Sequence, residues 1–346
     1  MIDLMIKGQV YLFLIVFVMM IAGMIKDNNL FSDVFAFLKR NIRSNRAVVA
    51  IFSAVTGVLP IKGRVTVSAG LLDTVAPRGK LKAESRAKFG PIDFMSTHHY
   101  YFWSPLEKTV ILPMAAFSLT YGAFMSIMWP LLVVTFGYIL WYLIFIVKDS
   151  DIELKDTKEK IKISRITRYV IPYMIGVGAV IAGYDWLFVF AALTLYYMIV
   201  TQTFNLKTLI KYVDWKIVAW VAGIIFASNL IRSETETINT FLGQTGLDIG
   251  TVFGFITITL LSFLGAFALG SSSRFGAITV ILTSLYGIEY LPWFFAVDFA
   301  GYIMSPMHKC VAIGKMYFGT KLSDYAKLLA GWAIVLIGTS GVMLYV

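Results

Sequence analysis

Two short stretches carry the residues best suited to holding a charged ligand: FWSPLEK at 102–108 and IMSPMHK at 303–309. Both read apolar, apolar, Ser, Pro, apolar, charged or His, Lys, and both lie among long apolar runs. Proline removes a backbone N–H and clashes with the preceding turn, so Ser-Pro inside an apolar helix breaks it and frees backbone groups. The second half-helix then offers free N–H donors and the positive end of its dipole, near Ser104 in one copy and Ser305 in the other. Lys108 and Lys309, about one turn further on, strengthen the same field. The chemistry this implies is anion binding; the plainer alternative is that both lysines snorkel to an interface.

Two further stretches extend the pattern. KGRVTVS (62–68) and GSSSRFG (270–276) place Gly63, Arg64, Thr66 and Ser68 in one half, and Ser271, Ser272, Ser273 and Arg274 in the other. Small residues let backbone N–H groups approach a ligand closely, and the arginines add fixed positive charge. For a coupling ion the candidates are Asp298 first, then Asp73 and His308, because an ionisable group beside apolar segments is a functional candidate by default. Asp93 and Glu289 lie in similar surroundings, and His98, His99 and His308 could relay protons.

These residues must be positioned by a membrane fold. Of 346 residues, 58% are hydrophobic and 14% charged, and the mean hydropathy is +0.77. Soluble domains carry about 25% charged residues. The run from Val10 to Ile25 has no small-residue cleavage site after it and reads as a retained first helix. The net charge of +10 is concentrated in KRNIRSNR (39–46), PRGKLKAESRAK (77–88) and 148–168, as the positive-inside rule produces, so membrane lipids and not nucleic acid are the expected partner. A single cysteine, Cys310, excludes an internal disulfide and any cysteine cluster for zinc or iron–sulfur. HExxH, GxSxG and P-loop motifs are absent, so the chain does not read as an enzyme, and no cofactor is expected.

The predicted fold is all-α and polytopic: one membrane domain over 1–346 with about 9–10 transmembrane helices, two re-entrant hairpins and two broken helices. A first repeat spans 30–147, with its hairpin at about 47–76 and its broken helix at about 92–126. A charged linker follows at 148–168. A second repeat spans 169–327, with its hairpin at about 255–287 and its broken helix at about 292–318. Full-length helices are expected to resume after Met128-Trp129-Pro130. Five crossings fall between the two Ser-Pro helices, whereas inverted repeats need an even number, so parallel repeats stay open.

The order of hairpin, broken helix, charged linker, hairpin and broken helix resembles the ion transporter superfamily, which includes the divalent-anion/sodium symporters. Within it, GVLPIKGRVTVSAGLLDTVAP and THHYYFWSPLEKTVILP are similar to an uncharacterised prokaryotic family of integral membrane proteins. The resemblance implies inverted repeats, a dimerising scaffold, and an elevator-like transport domain. It also implies that the tips at 63–68 and 270–276 correspond to substrate and sodium loops. The Ser-Asn-Thr signature of the sodium-coupled dicarboxylate members is absent from both tips, which weighs against sodium coupling and a dicarboxylate. The expectation is a secondary transporter of a small anionic solute, coupled to H⁺ or Na⁺, a homodimer in the plasma membrane of a prokaryote. Rival readings are a flippase for a lipid-linked substrate, which needs a lateral opening, and a non-transporting structural membrane protein.

Overall fold

The computed structural model describes residues 2–27, 31–58, 64–75, 82–154, 163–245 and 248–344, and these are helical or in turns, with no strand among them. The helices are α1 (Ile2–Asp27), α2 (Phe31–Asn41), α3 (Asn45–Val58), α4 (Arg64–Val75), α5 (Ala83–His98), α6 (Lys108–Phe117), α7 (Tyr121–Trp141), α8 (Ile163–Ile181), α9 (Trp186–Thr201), α10 (Leu206–Tyr212), α11 (Trp215–Ser233), α12 (Thr235–Gln244), α13 (Val252–Leu269), α14 (Ser272–Tyr286), α15 (Leu291–Met304), α16 (Lys309–Phe318) and α17 (Leu322–Met343). Four are long and apolar enough to cross a membrane, at Tyr121–Ile146, Trp215–Ser233, Val252–Leu269 and Leu322–Met343. Shorter apolar helices stand at Tyr11–Ile25, Asn45–Val58, Lys108–Phe117, Trp186–Thr201 and Gly276–Tyr286. The chain is a helical membrane protein.

Helix starts follow side-chain capping. Thr120 accepts from the Ala123 N–H at 3.2 Å to start α7, and Thr251 accepts from Gly254 at 3.0 Å to start α13. The first of these moves a boundary. A new helix was expected after Trp129-Pro130, but α7 begins at Tyr121 and runs through Pro130. The turn is instead made by Ser118, left-handed at φ 54°, and by the Thr120 cap.

A second boundary also shifts. The first broken helix starts at Ala83 and its second part ends at Phe117, where 92 to 126 was expected. The basic segment 77–88 is therefore partly helical, and Arg86 within it is buried. Arg86 donates to Asp73 at 2.7 Å and to the Tyr317 carbonyl, tying α5 to α4 and to the end of α16. Pairing of this kind lowers the cost of burying the arginine. Arg46, likewise expected at the lipid surface, caps the π-helical turn Tyr142–Ile146 that continues α7, by donating to the Leu143 and Val147 carbonyls, each at 2.6 Å. The 148–168 segment contains a 3₁₀ turn at Asp149–Asp151, and α8 starts at Ile163; residues 155–162 lie outside the described ones.

The helices that matter for the site pack in two matching sets. α3 lies on α4 and α5; α13 lies on α14 and α15. The sets then interlock, because α4 packs on α16 and α14 packs on α6. An aromatic core lies against α15: Phe102, in the 3₁₀ turn after α5, meets Phe299 edge-on at 4.8 Å, and Phe299 meets Trp332 of α17 at 5.2 Å.

Candidate functional site

Both Ser-Pro positions are breaks. After α5 comes a 3₁₀ turn, His99–Phe102, then irregular backbone to Glu107, and α6 starts at Lys108. After α15 the chain turns at Ser305 and restarts at Lys309. Ser104 and Ser305 were expected at the N-termini of the second half-helices, and they sit earlier. Each belongs to the turn that precedes the half-helix, with Ser104 Oγ accepting from the Leu106 N–H at 3.4 Å and Ser305 Oγ from the Met307 N–H at 3.1 Å. The residue before proline is pushed to extended backbone, as Ser305 is (φ −63°, ψ 130°), so the helix must end there. Its hydroxyl then takes the N–H two residues on, as serine does in tight turns. The helices restart with Glu107 and His308 as N-caps, neither of which gives a side-chain cap.

The corner 270–276 seats on both breaks. Gly270 closes α13 in the left-handed region (φ +54°), and a Cβ there would stand 2.7 Å from Met307 Cβ and 2.8 Å from Ser305 Oγ. Gly276 lies against α6, where a Cβ would come within 3.4 Å of Thr109 Cγ2. The first turn of α14, which holds Ser272, Ser273 and Arg274, is thereby brought between the 305–308 break and the start of α6 at Lys108. Lys309 is exposed and Lys108 half-buried. Ser271 is the α14 N-cap residue. The side chains of Arg64, Ser272, Ser273 and Arg274 lie outside the described residues, as does Gly63. Thr66 is exposed on α4.

Behind the breaks sit two buried carboxylates with matching cradles. Asp298 on α15 is 0% exposed and accepts from Ser262 of α13 and, at 2.6 Å, from Thr279 of α14. Asp93 on α5 is 2% exposed and accepts from Ser53 of α3, at 2.7 Å, and from Ser68 of α4. Each cradle thus ties a half-helix to both members of the helix pair beside it. Ser68, expected at a ligand, is in this cradle, and Asp73, expected beside a coupling ion, is the ion-pair partner of Arg86.

The two broken helices also meet directly. Tyr101 and Tyr302 hydroxyls are 3.0 Å apart, and His98 Nε2 and His308 Nε2 are 3.2 Å apart. Carbonyls freed by the breaks find partners here: Thr109 Oγ1 donates to Tyr101 O at 2.9 Å and Tyr121 Oη to Trp103 O at 2.6 Å. The sequence reading passed over Ser53, Ser262, Thr279, Tyr101 and Tyr302. Serine, threonine and tyrosine are common in apolar helices, and nothing local marks a particular one as a carboxylate or tyrosine partner.

Among curated proteins no match is found. A family model described as "Protein of unknown function (DUF401)" matches residues 2–346, and over that span the chain belongs to the DUF401 family.

Proposed function

We propose that this protein is a secondary active transporter of a small anionic solute, coupled to H⁺ or Na⁺. The observation that carries the reading is the seating of the Gly270–Gly276 corner between one helix break and the N-terminal turn of α6, close to Lys108. The starts of α6, α14 and α16, none of them carrying a side-chain cap, then lie around one corner together with Lys108 and Lys309. Helix N-termini and fixed cations are what an anion needs away from water.

We read α3–α6 and α13–α16 as two copies of one unit, each a hairpin followed by a broken helix. Matching carboxylate cradles, matching Ser-Pro turns and reciprocal packing support this. Four helices of 16 residues or more, α7, α8, α9 and α11, separate the copies, while α10 and α12 have 7 and 10 residues. An even number of crossings gives the second copy inverted topology, as in the superfamily that the sequence resembles. The fifth crossing counted from sequence, 249–269, is α13 and belongs to the second hairpin in this reading. The hairpins and broken helices would move as one body against a scaffold built from the intervening helices, which would also supply a homodimer contact. Asp298 in its hydroxyl cradle is the coupling group we assign, because a carboxylate with two hydroxyl donors can take either a proton or Na⁺.

The test is uptake into proteoliposomes of labelled carboxylates and inorganic oxyanions, under an inward H⁺ gradient in one arm and a Na⁺ gradient in the other. The expected result is uptake in one arm, lowered at least tenfold by Lys108→Gln and by Arg274→Gln with protein abundance unchanged. Uptake indifferent to both substitutions, or absent in both arms, overturns the reading.

A further inference from the structure

We infer that His98, His308 and Cys310 form a binding site for a borderline d-block cation of the Zn²⁺ or Co²⁺ class, which bridges the two broken helices. Nothing in the transport reading is needed for this, and it is tested without any transport assay.

The argument begins with the histidine tautomers. His98 Nδ1 lies 2.5 Å from the Phe94 carbonyl, and His308 Nδ1 lies 3.0 Å from the Tyr302 carbonyl. A carbonyl only accepts, so in both rings the Nδ1 must carry the hydrogen. Neutral imidazole then leaves each Nε2 with a lone pair. Those two lone pairs point at one another across 3.2 Å, with both rings 1% exposed or less. Two acceptors so placed repel unless something positive lies between them.

A metal ion satisfies this geometry. Zn–N bonds are roughly 2.0–2.1 Å, so nitrogens 3.2 Å apart subtend an angle of roughly 100–105° at a shared ion, close to tetrahedral. The orientation is also the one metal-binding histidines use, with the distal nitrogen donating to a carbonyl and so fixing the coordinating one. Cys310 supplies the third donor: its Sγ and the two ring nitrogens all lie within 4.8 Å of one another. Ligand atoms around tetrahedral zinc are separated by roughly 3.3–3.7 Å, so the sulfur closes in by about an ångström on binding. Two imidazoles and one thiolate select Zn²⁺ or Co²⁺ over Mg²⁺ or Ca²⁺, which take oxygen ligands. Cys310 is partly exposed, which gives the ion a way in, and the fourth position is left to water or a ligand.

The position in the fold gives the site its consequence. His98 ends α5, while His308 and Cys310 begin α16, so an ion here pins the end of one broken helix to the restart of the other. Rings enclose it: Phe94 stacks on His98 at 4.0 Å and Tyr302 lies 4.2 Å from His308. No local motif announces this site, since the ligands lie in separate halves of the chain.

The experiment uses the full-length protein in detergent, stripped with a chelator and titrated with Co²⁺ and then Zn²⁺. The expected result is one equivalent per chain, tetrahedral Co²⁺ absorption, and a thiolate-to-cobalt charge-transfer band in the near ultraviolet. The chain has a single cysteine, so that band reports on Cys310 alone. Cys310→Ser should abolish the band and weaken binding at least tenfold; Cys310→His should retain tetrahedral Co²⁺ without the band. His98→Gln and His308→Gln should each weaken binding at least tenfold at unchanged helicity. No bound Co²⁺ at millimolar concentration, or a band that survives Cys310→Ser, overturns the inference. So does affinity unchanged in the histidine variants, where a proton is the shared species. Should a histidine variant fail to fold, the two Cys310 variants decide the matter alone.

Discussion

Gly270→Ala is the perturbation that most directly probes the seat on which the site depends. Two costs are separable there. A side chain in the left-handed region costs about 1–2 kcal/mol, and Gly270 sits at φ +54°. The added Cβ also falls 2.7 Å from Met307 Cβ, 2.8 Å from Ser305 Oγ and 3.0 Å from the Met307 carbonyl carbon. Ser305 Oγ cannot swing away freely, because it accepts the Met307 N–H that holds the break. Overpacking of this kind costs about 1–3 kcal/mol, so the substitution should destabilise by about 2–5 kcal/mol in all. Gly319 provides the control: its φ is +72°, yet a Cβ there meets nothing within 4 Å, so Gly319→Ala should cost only the backbone share of about 1–2 kcal/mol. Unfolded-chain entropy changes equally in both variants and cancels. The assay is reversible unfolding by SDS titration in mixed micelles, followed by far-UV circular dichroism. The difference between the variants should be about 1–3 kcal/mol. A Gly270→Ala protein no less stable than Gly319→Ala would refute the close seating of the 270–276 corner on the Ser305–Met307 turn.

Further outcomes follow from the same contacts. Asp298→Ala strands two buried hydroxyls, at about 1–3 kcal/mol apiece, and should lose about 2–6 kcal/mol in the same unfolding assay, whereas Asp93→Ala leaves Ser53 and Ser68 Oγ 3.3 Å apart, able to bond each other, and should lose less. The cradles share no residue, so the double variant should be additive within about 0.5 kcal/mol, and strong coupling between them would contradict the separation described. Tyr101→Phe and Tyr302→Phe remove opposite ends of one hydrogen bond, 3.0 Å long. A double-mutant cycle should return a coupling of about 0.5–1.5 kcal/mol, and a coupling of zero would mean that the two broken helices do not meet through these hydroxyls.

What could be read from sequence divides along a physical line. The breaks were legible because Ser-Pro recurs in both halves with a Lys three residues after the proline; proline alone marks no stop here, since Pro91, Pro113, Pro130 and Pro172 lie inside α5, α6, α7 and α8. Composition likewise announced the membrane. The boundary at Ser118–Thr120 was missed because Pro130 looked the stronger stop, yet a proline inside a long apolar helix is tolerated, whereas the Thr120 cap fixes a start. Arg86 was assigned to a solvated basic stretch because charge in a sequence carries no address. Asp73 and the Tyr317 carbonyl, the latter from the far half of the chain, support its burial. The cradles of Asp93 and Asp298 and the facing imidazoles were illegible for the same reason: each is a pairing between elements, and the local pattern holds one partner at a time.

That line has a mechanical consequence. α4 is held by α16 and α14 by α6, so neither helix pair rests solely on its own broken helix. A displacement of the 270–276 corner must therefore be felt at Ser305–Met307 and at Lys108–Thr109 together. At both the helix is interrupted or restarts, and turn hydrogen bonds such as Met307 N–H to Ser305 Oγ and Val110 N–H to the Glu107 carbonyl hold the chain. Cradles anchored at Asp93 and Asp298 and interruptions at the two prolines lie within the same broken helices. A ligand held at the starts of α6, α14 and α16, as proposed above, would act on these junctions without dismantling the aromatic core.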